Sequence, residues 1–170
     1  MVCFAGAIAL IVWGGLPERA EFTAFAISEA GIVAPETGAI APPIEATTLD
    51  GTPIRLDALR GEVVIVNFWA TWCGPCRFEM PELQRLYETQ DNVRIIAVNL
   101  QEDEAEVQRW ADAFGLTYPI VIDEGAIARR YAFRDPPTTF VIAPDGVIAR
   151  TIYGPVTMES LEALVDDLAG

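Results

Sequence analysis

The run Val63–Trp69, "VVIVNFW", constrains the fold more than any other stretch of the chain. Its seven residues carry no charge, and four of them are β-branched. A continuous apolar run of this length, without alternation, predicts a strand buried on both faces. Such a strand needs a covering layer on each side of its sheet. Val93–Leu100, "VRIIAVNL", repeats the signal. Directly after the first run comes "ATWCGPC", which holds two of the three cysteines, Cys73 and Cys76.

The remaining pattern alternates strand and helix from about Gly38 onward. "TPIRL" reads as a short strand, with Asp57 capping a helical turn that ends at Gly61. A helix is expected over residues 74–89, with Phe78, Leu83, Leu86 and Tyr87 as its apolar positions. Another is expected over 103–115, with Asp103 as N-cap and Glu106 three residues on. The acidic run "EDEAE" then needs no metal to explain it, because carboxylates favour a helix N-terminus. "YPIVID" reads as a strand and residues 125–133 as a short helix. "TTFVIA" and "VIARTIY" read as a hairpin turning at Pro144, Asp145 and Gly146. Residues 157–168 close the chain as a helix, capped by Thr157, with Leu161, Leu164, Val165 and Leu168 on one face. The sum is a three-layer α/β domain with a mixed sheet.

Two segments precede that domain. Residues 1–16 lack any charge and are expected to act as an apolar signal or anchor segment. As a helix they reach ~24 Å against a hydrocarbon core of ~30 Å. Ala24-Phe25-Ala26 offers a cleavage site of the A-x-A kind. Cys3 lies within the apolar run and reads as a small apolar residue. Residues 17–37 read as a linker, and the Pro-, Ala- and Gly-rich stretch 34–43 leads into the domain at 38–170.

Charge and composition exclude several functions. The formal net charge is −14, and every positive side chain is an arginine. A chain this acidic repels phosphate backbones, so no nucleic-acid partner is expected. There is no histidine, which removes Ser-His-Asp and Cys-His catalysis and every His-ligated metal site. Structural zinc needs four ligands, and only one further cysteine exists, so no metal is expected.

The cysteine pair is then a staple or a redox device. A loop this short returns only ~2 kcal/mol in the chain-entropy model, and it cross-links nothing distant. The redox reading fits better. The pair follows a buried strand and opens a helix, where unpaired N–H groups stabilise a Cys73 thiolate. Pro75 in the first turn forfeits no helical hydrogen bond. Cys76 lies one turn deeper, within disulfide reach, and can resolve what Cys73 attacks.

"VVIVNFWATWCGPCRFEMPEL" resembles the thioredoxin-fold thiol–disulfide oxidoreductases, and within them the TlpA/ResA-like group. The "LDG" lead-in, "NFWATWCGPC", "EMP" and "PPTTFVIAPDG" carry the resemblance over residues 38–168. It implies a thioredoxin-like fold with a mixed central sheet and helices on both faces. Ordinary thioredoxins carry a buried aspartate six residues before the first cysteine, where this chain has Asn67. The TlpA/ResA-like group has a glutamate three residues after the second cysteine, matched by Glu79. One turn beyond Cys76, a buried Glu79 would have a raised pKa and could accept the Cys76 proton. The resemblance also assigns Pro137 as the cis-proline that packs opposite the cysteines. The residue before it normally pairs its backbone with substrate, but here it is Pro136, which has no N–H. Trp72, Gly74 and Pro75 complete the expected substrate-binding surface. Phe68 is expected in the core and Arg77 on the helix surface.

The resemblance implies a disulfide reductase acting on extracytoplasmic proteins, for example on apocytochrome c cysteines before haem attachment. It implies no cofactor. A membrane thiol relay would supply electrons, and the N-terminal segment would hold the protein at the membrane. Two alternatives stand beside this reading. A redoxin-type peroxidase would need Pro-x-x-x-Thr-x-x-Cys, but the matching positions hold Val66 and Ala70. A non-catalytic binding module, such as a copper carrier, would need a histidine.

Overall fold

The computed structural model describes residues 26–28 and 31–169. Two small antiparallel hairpins come first: β1 (Ala26–Ser28) with β2 (Gly31–Val33), then β3 (Glu45–Thr47) with β4 (Pro53–Arg55). The central elements follow in the order β5 (Val63–Trp69), α1 (Cys76–Thr89), β6 (Val93–Leu100), α2 (Glu104–Phe114) and β7 (Ile120–Asp123). Then come α3 (Ala126–Arg130), β8 (Thr138–Ile142), β9 (Ile148–Tyr153) and α4 (Met158–Ala169). Five strands form one mixed sheet in the order β7-β6-β5-β8-β9. β5, β6 and β7 are parallel, and β8 runs antiparallel to both β5 and β9.

β5 is the middle strand, and all seven of its residues are buried. Its alternate residues feed two separate cores. Val63, Ile65 and Trp69 pack with Met80, Leu83, Leu86, Val107, Leu161 and Val165 from α1, α2 and α4. Val64, Val66 and Phe68 pack on the opposite face with Ile127 and Tyr131, from α3 and its end. The Phe68 ring lies 5.0 Å from Phe133, 5.5 Å from Tyr131 and 5.9 Å from Phe140. An aromatic cluster of this kind makes Phe68 core, and truncating it to alanine would cost about 3–5 kcal/mol.

Caps fix several ends as the sequence implied. The Asp103 carboxylate accepts the amides of Ala105 and Glu106, and Gly115 closes α2 at φ 63°. Thr157 and Ser160 exchange side-chain-to-amide bonds at the start of α4. Asp57 does not cap. It lies inside a 3-10 turn, Leu56–Leu59, and pairs with Arg55. α3 ends at Arg130, earlier than residue 133, because Ala132 turns left-handed at φ 45° and Phe133 N–H folds back to Ala128 O.

The linker reading changes for the stretch 34–43. Its backbone is bonded into the domain: Gly38 N–H donates to Ile148 O at 2.8 Å, and Ile148 N–H to Ala39 O at 2.9 Å. Ala41 N–H donates to Gly146 O at 3.0 Å, and Ala34, Ala41 and Pro42 are buried. Ile40 N–H also reaches Ile32 O, so the ordered unit extends back to β2. Pro, Ala and Gly give this stretch the local composition of a linker, but distant backbone partners hold it. The apolar segment 1–16 lies outside the described residues. Among the described residues no helix is long and apolar enough to cross a membrane.

Candidate active site

The site sits where β5 ends. Cys73 and Cys76 are joined by a disulfide, with their Cα atoms 5.4 Å apart. α1 begins at Cys76, not at residue 74. Gly74 and Pro75 form a turn ahead of it, closed by Cys76 N–H to Cys73 O at 3.2 Å and Arg77 N–H to Gly74 O at 3.3 Å. Pro75 therefore occupies the N-cap position rather than the first turn. The Cys76 amide also points at the Cys73 sulfur, at 3.2 Å. A thiolate at Cys73 would receive that donor and the positive end of the helix. Cys73 keeps 4% exposure while Cys76 has none. Cys73 is therefore the less enclosed of the two buried cysteines.

Behind the pair lies Glu79, wholly buried. Asn67 Nδ2 donates to one carboxylate oxygen at 2.9 Å, and Val156 N–H donates to the other at 3.2 Å. Asn67 Nδ2 also reaches Thr139 Oγ1 at 3.0 Å. Burial pushes the Glu79 pKa up to about 7, while the bonds from Asn67 and Val156 pull against it. The side chain is therefore poised to take or give a proton near neutral pH. Asn67 is a donor to this carboxylate, a role invisible in the sequence, where it was only the place of a missing aspartate. Val156 N–H comes from the segment before α4, 77 residues away, and no local pattern announces it.

The cis peptide bond falls at Pro136–Pro137. β8 pairs with β5 so that Thr138 faces Phe68. Pro137 thus lies at the end of the sheet from which the cysteine loop leaves. Pro137 is buried and Pro136 half-buried. The Pro137 carbonyl is taken by Gly154 N–H at 2.9 Å, and the Asp135 carbonyl by the Thr138 hydroxyl at 2.7 Å. An open groove beside this loop is bounded by Glu36, Arg134, Asp135, Pro136 and Tyr153.

The rim is apolar. Trp72 is 67% exposed and Phe78 is 78% exposed. Phe78 falls opposite the stripe of Cys76, Met80, Leu83 and Leu86, so on α1 it faces solvent and not the core. With Gly74, Pro75, Arg77 and Phe114 it lines a shallow groove beside the disulfide. Arg77 is exposed, as expected, but its guanidinium lies over the Trp110 ring, 5.5 Å from the centroid, and turns toward α2.

Comparison with known proteins agrees with this geometry. The model of the AhpC/TSA family matches residues 37–151. The thiol-disulfide oxidoreductase ResA of Geobacillus kaustophilus is 40% identical over 134 residues, 77% of each chain. The thioredoxin-like protein YneN of Bacillus subtilis is 35% identical over 163 residues, 94% of each chain. Among solved structures, a thiol:disulfide interchange protein of the thioredoxin family from Chlorobium tepidum superimposes with a TM-score of 0.74 at 27% identity, covering 79% of this chain and 99% of its own. StoA from Bacillus subtilis superimposes at 0.65 with 32% identity, covering 72% and 95%. The fold is thioredoxin-like. The chain belongs to the AhpC/TSA family and, within it, to the ResA-type thiol–disulfide oxidoreductases.

Proposed function

We propose that this enzyme is a disulfide reductase for extracytoplasmic proteins and that Glu79 is its internal proton acceptor. One observation carries the reading: a buried carboxylate, held by Asn67 and Val156, lies one helical turn behind a disulfide of which Cys73 keeps 4% exposure and Cys76 none. In the reduced enzyme the Cys73 thiolate attacks one sulfur of a substrate disulfide. A Cys73–substrate disulfide forms, and the first substrate thiol leaves. Glu79 takes the Cys76 proton. The Cys76 thiolate then attacks Cys73 Sγ, re-forms the internal disulfide and releases the second substrate thiol. Two electrons pass to the substrate, whose two sulfurs end protonated.

The direction of flow rests on the Gly-Pro spacer and on what the family resemblance implies. Thioredoxin is a reductant at about −270 mV, against about −120 mV for the oxidant DsbA. Apocytochrome c cysteines are one fitting substrate, with electrons from a membrane thiol relay. The apolar segment 1–16 would place the enzyme at the outer face of the membrane, or release it if cleaved after Ala26. A peroxidase reading has no support at this site, because Val66 and Ala70 stand where the motif requires proline and threonine.

Trapping tests the order of attack. Cys76→Ser should accumulate a mixed disulfide with a peptide disulfide substrate, linked at Cys73 by mass mapping. Cys73→Ser should accumulate none. A trapped adduct at Cys76 in the latter variant would overturn the assignment.

A further inference from the structure

We propose that Glu102 is a positioning residue that holds the nucleophile's loop, and through it the Cys73 sulfur, over the first turn of α1. The proposal rests on the reading of Cys73 as the attacking cysteine.

Both carboxylate oxygens of Glu102 are turned to that loop. One accepts Thr71 N–H at 2.7 Å, and the other accepts the Thr71 hydroxyl. Asn99 Nδ2 donates to the first oxygen at 2.7 Å and aims the carboxylate. Asn99 is wholly buried on β6, directly beside Trp69, the last residue of β5. Two steps further along the loop, Cys73 N–H bonds Ala70 O at 3.1 Å, and Cys76 N–H meets Cys73 Sγ. An unbroken set of bonds thus runs from β6 through Asn99, Glu102 and Thr71 to the turn that carries the nucleophile.

The preference of carboxylates for helix N-termini does not account for Glu102. Asp103 does that work by capping α2, and Glu106 pairs with Arg109. Glu102 is instead directed back toward β5 by Gln101, a non-glycine residue at φ 55°, in the left-handed region that side-chain-bearing residues rarely adopt. Gln101 is fixed there by its N–H to Asp123 O at 3.2 Å. A disfavoured backbone conformation next to a carboxylate clamp on the active loop marks a built device. Its consequence appears during turnover. When the Cys73–Cys76 bond is open, that covalent tie no longer locates Cys73, but the Glu102 tether persists because it does not involve sulfur.

Glutamine can replace this carboxylate without losing the hold. Its carbonyl can accept the Thr71 and Asn99 N–H groups, and its amide can donate to the Thr71 hydroxyl, which also accepts. Alanine loses all three bonds. The test is the rate of iodoacetamide alkylation of the reduced protein across pH 5–10, with the labelled cysteine mapped, together with kcat and KM for a peptide disulfide. Glu102→Ala should slow Cys73 labelling near neutral pH and lower kcat by about tenfold, with KM little changed. It should also move the labelling midpoint to higher pH. Glu102→Gln should restore the rate. Thr71→Val, which keeps the loop amide bond, should fall between, and it carries the test if Glu102→Ala does not fold. Wild-type rates and midpoint in Glu102→Ala or in Thr71→Val, or a Glu102→Gln as slow as Glu102→Ala, would overturn the proposal. Labelling first at Cys76 would instead overturn the reading of Cys73 as nucleophile.

Discussion

The two sides of the disulfide are built on opposite terms. Behind it, Asn67, Glu79 and Thr139 are buried, and Asn67 donates to both of the others. In front of it, Trp72, Phe78, Gly74 and Pro75 are exposed, and the two aromatic side chains face solvent. In the proposed mechanism the sealed side sets proton chemistry, because removing water raises the pKa of a carboxylate and makes each hydrogen bond to it count. The open side is proposed to recognise substrate, because exposed apolar surface gains from being covered. Substitutions should therefore separate: the interior changes rate and pH dependence, and the rim changes affinity.

The largest effect is expected at Glu79. Glu79→Gln should slow disulfide exchange by roughly 10²-fold near neutral pH and flatten its pH profile. Glutamine can be accommodated: with Asn67 turned over, its amide donates to Asn67 while its carbonyl accepts Val156 N–H. The same variant tests stability. The folded protein holds the Glu79 proton up to about pH 7, against 4.5 for the ordinary group. Below 4.5 both states are protonated and this group costs nothing. As pH rises from 4.5 through 7 the native state must give up a proton it holds more tightly than the unfolded chain does. The oxidised wild type should lose about 3 kcal/mol across that window relative to Glu79→Gln. Urea melts of both proteins at pH 4.5 and 8 check this, and parallel curves would remove Glu79 from the titration.

The rim should respond differently. Trp72→Ala should raise KM for a protein disulfide about tenfold, or ~1.4 kcal/mol, with kcat nearly unchanged. The melting temperature should hold, since exposed substitutions stay within about 0.5 kcal/mol. A fall in kcat with constant KM would place Trp72 in the chemistry and erase the contrast. The smallest effect is expected from Pro136→Thr, which supplies the missing backbone donor. One added hydrogen bond, at about 1 kcal/mol, should lower KM several-fold. An unchanged KM would mean that substrates do not pair with this backbone.

What the sequence disclosed follows from the range of the interaction. β5 and β6 were legible to the residue because a continuous β-branched run is a local signal. Asp103 as a cap and the hairpin at Pro144, Asp145 and Gly146 were legible for the same reason. The cysteine pair was legible by spacing, and the resemblance singled out Glu79, which the structure buries. The partners of Glu79 were not: Asn67 lies 12 residues away and Val156 lies 77 away. Nor was the hold of Glu102 on Thr71, across 31 residues. Residues 34–43 looked like a linker because their composition is local, while Gly38, Ala39 and Ala41 bond to residues 146 and 148.

In the proposed function the Cys73–Cys76 pair and the sealed interior behind it serve a reductant. The reduction potential of the Cys73–Cys76 pair, equilibrated against a dithiothreitol or glutathione couple of known ratio, tests it most directly. A reductant should give a value near that of thioredoxin, about −270 mV, where the pair donates electrons to most protein disulfides. A value near −120 mV would contradict it, making the protein an oxidant of its partners.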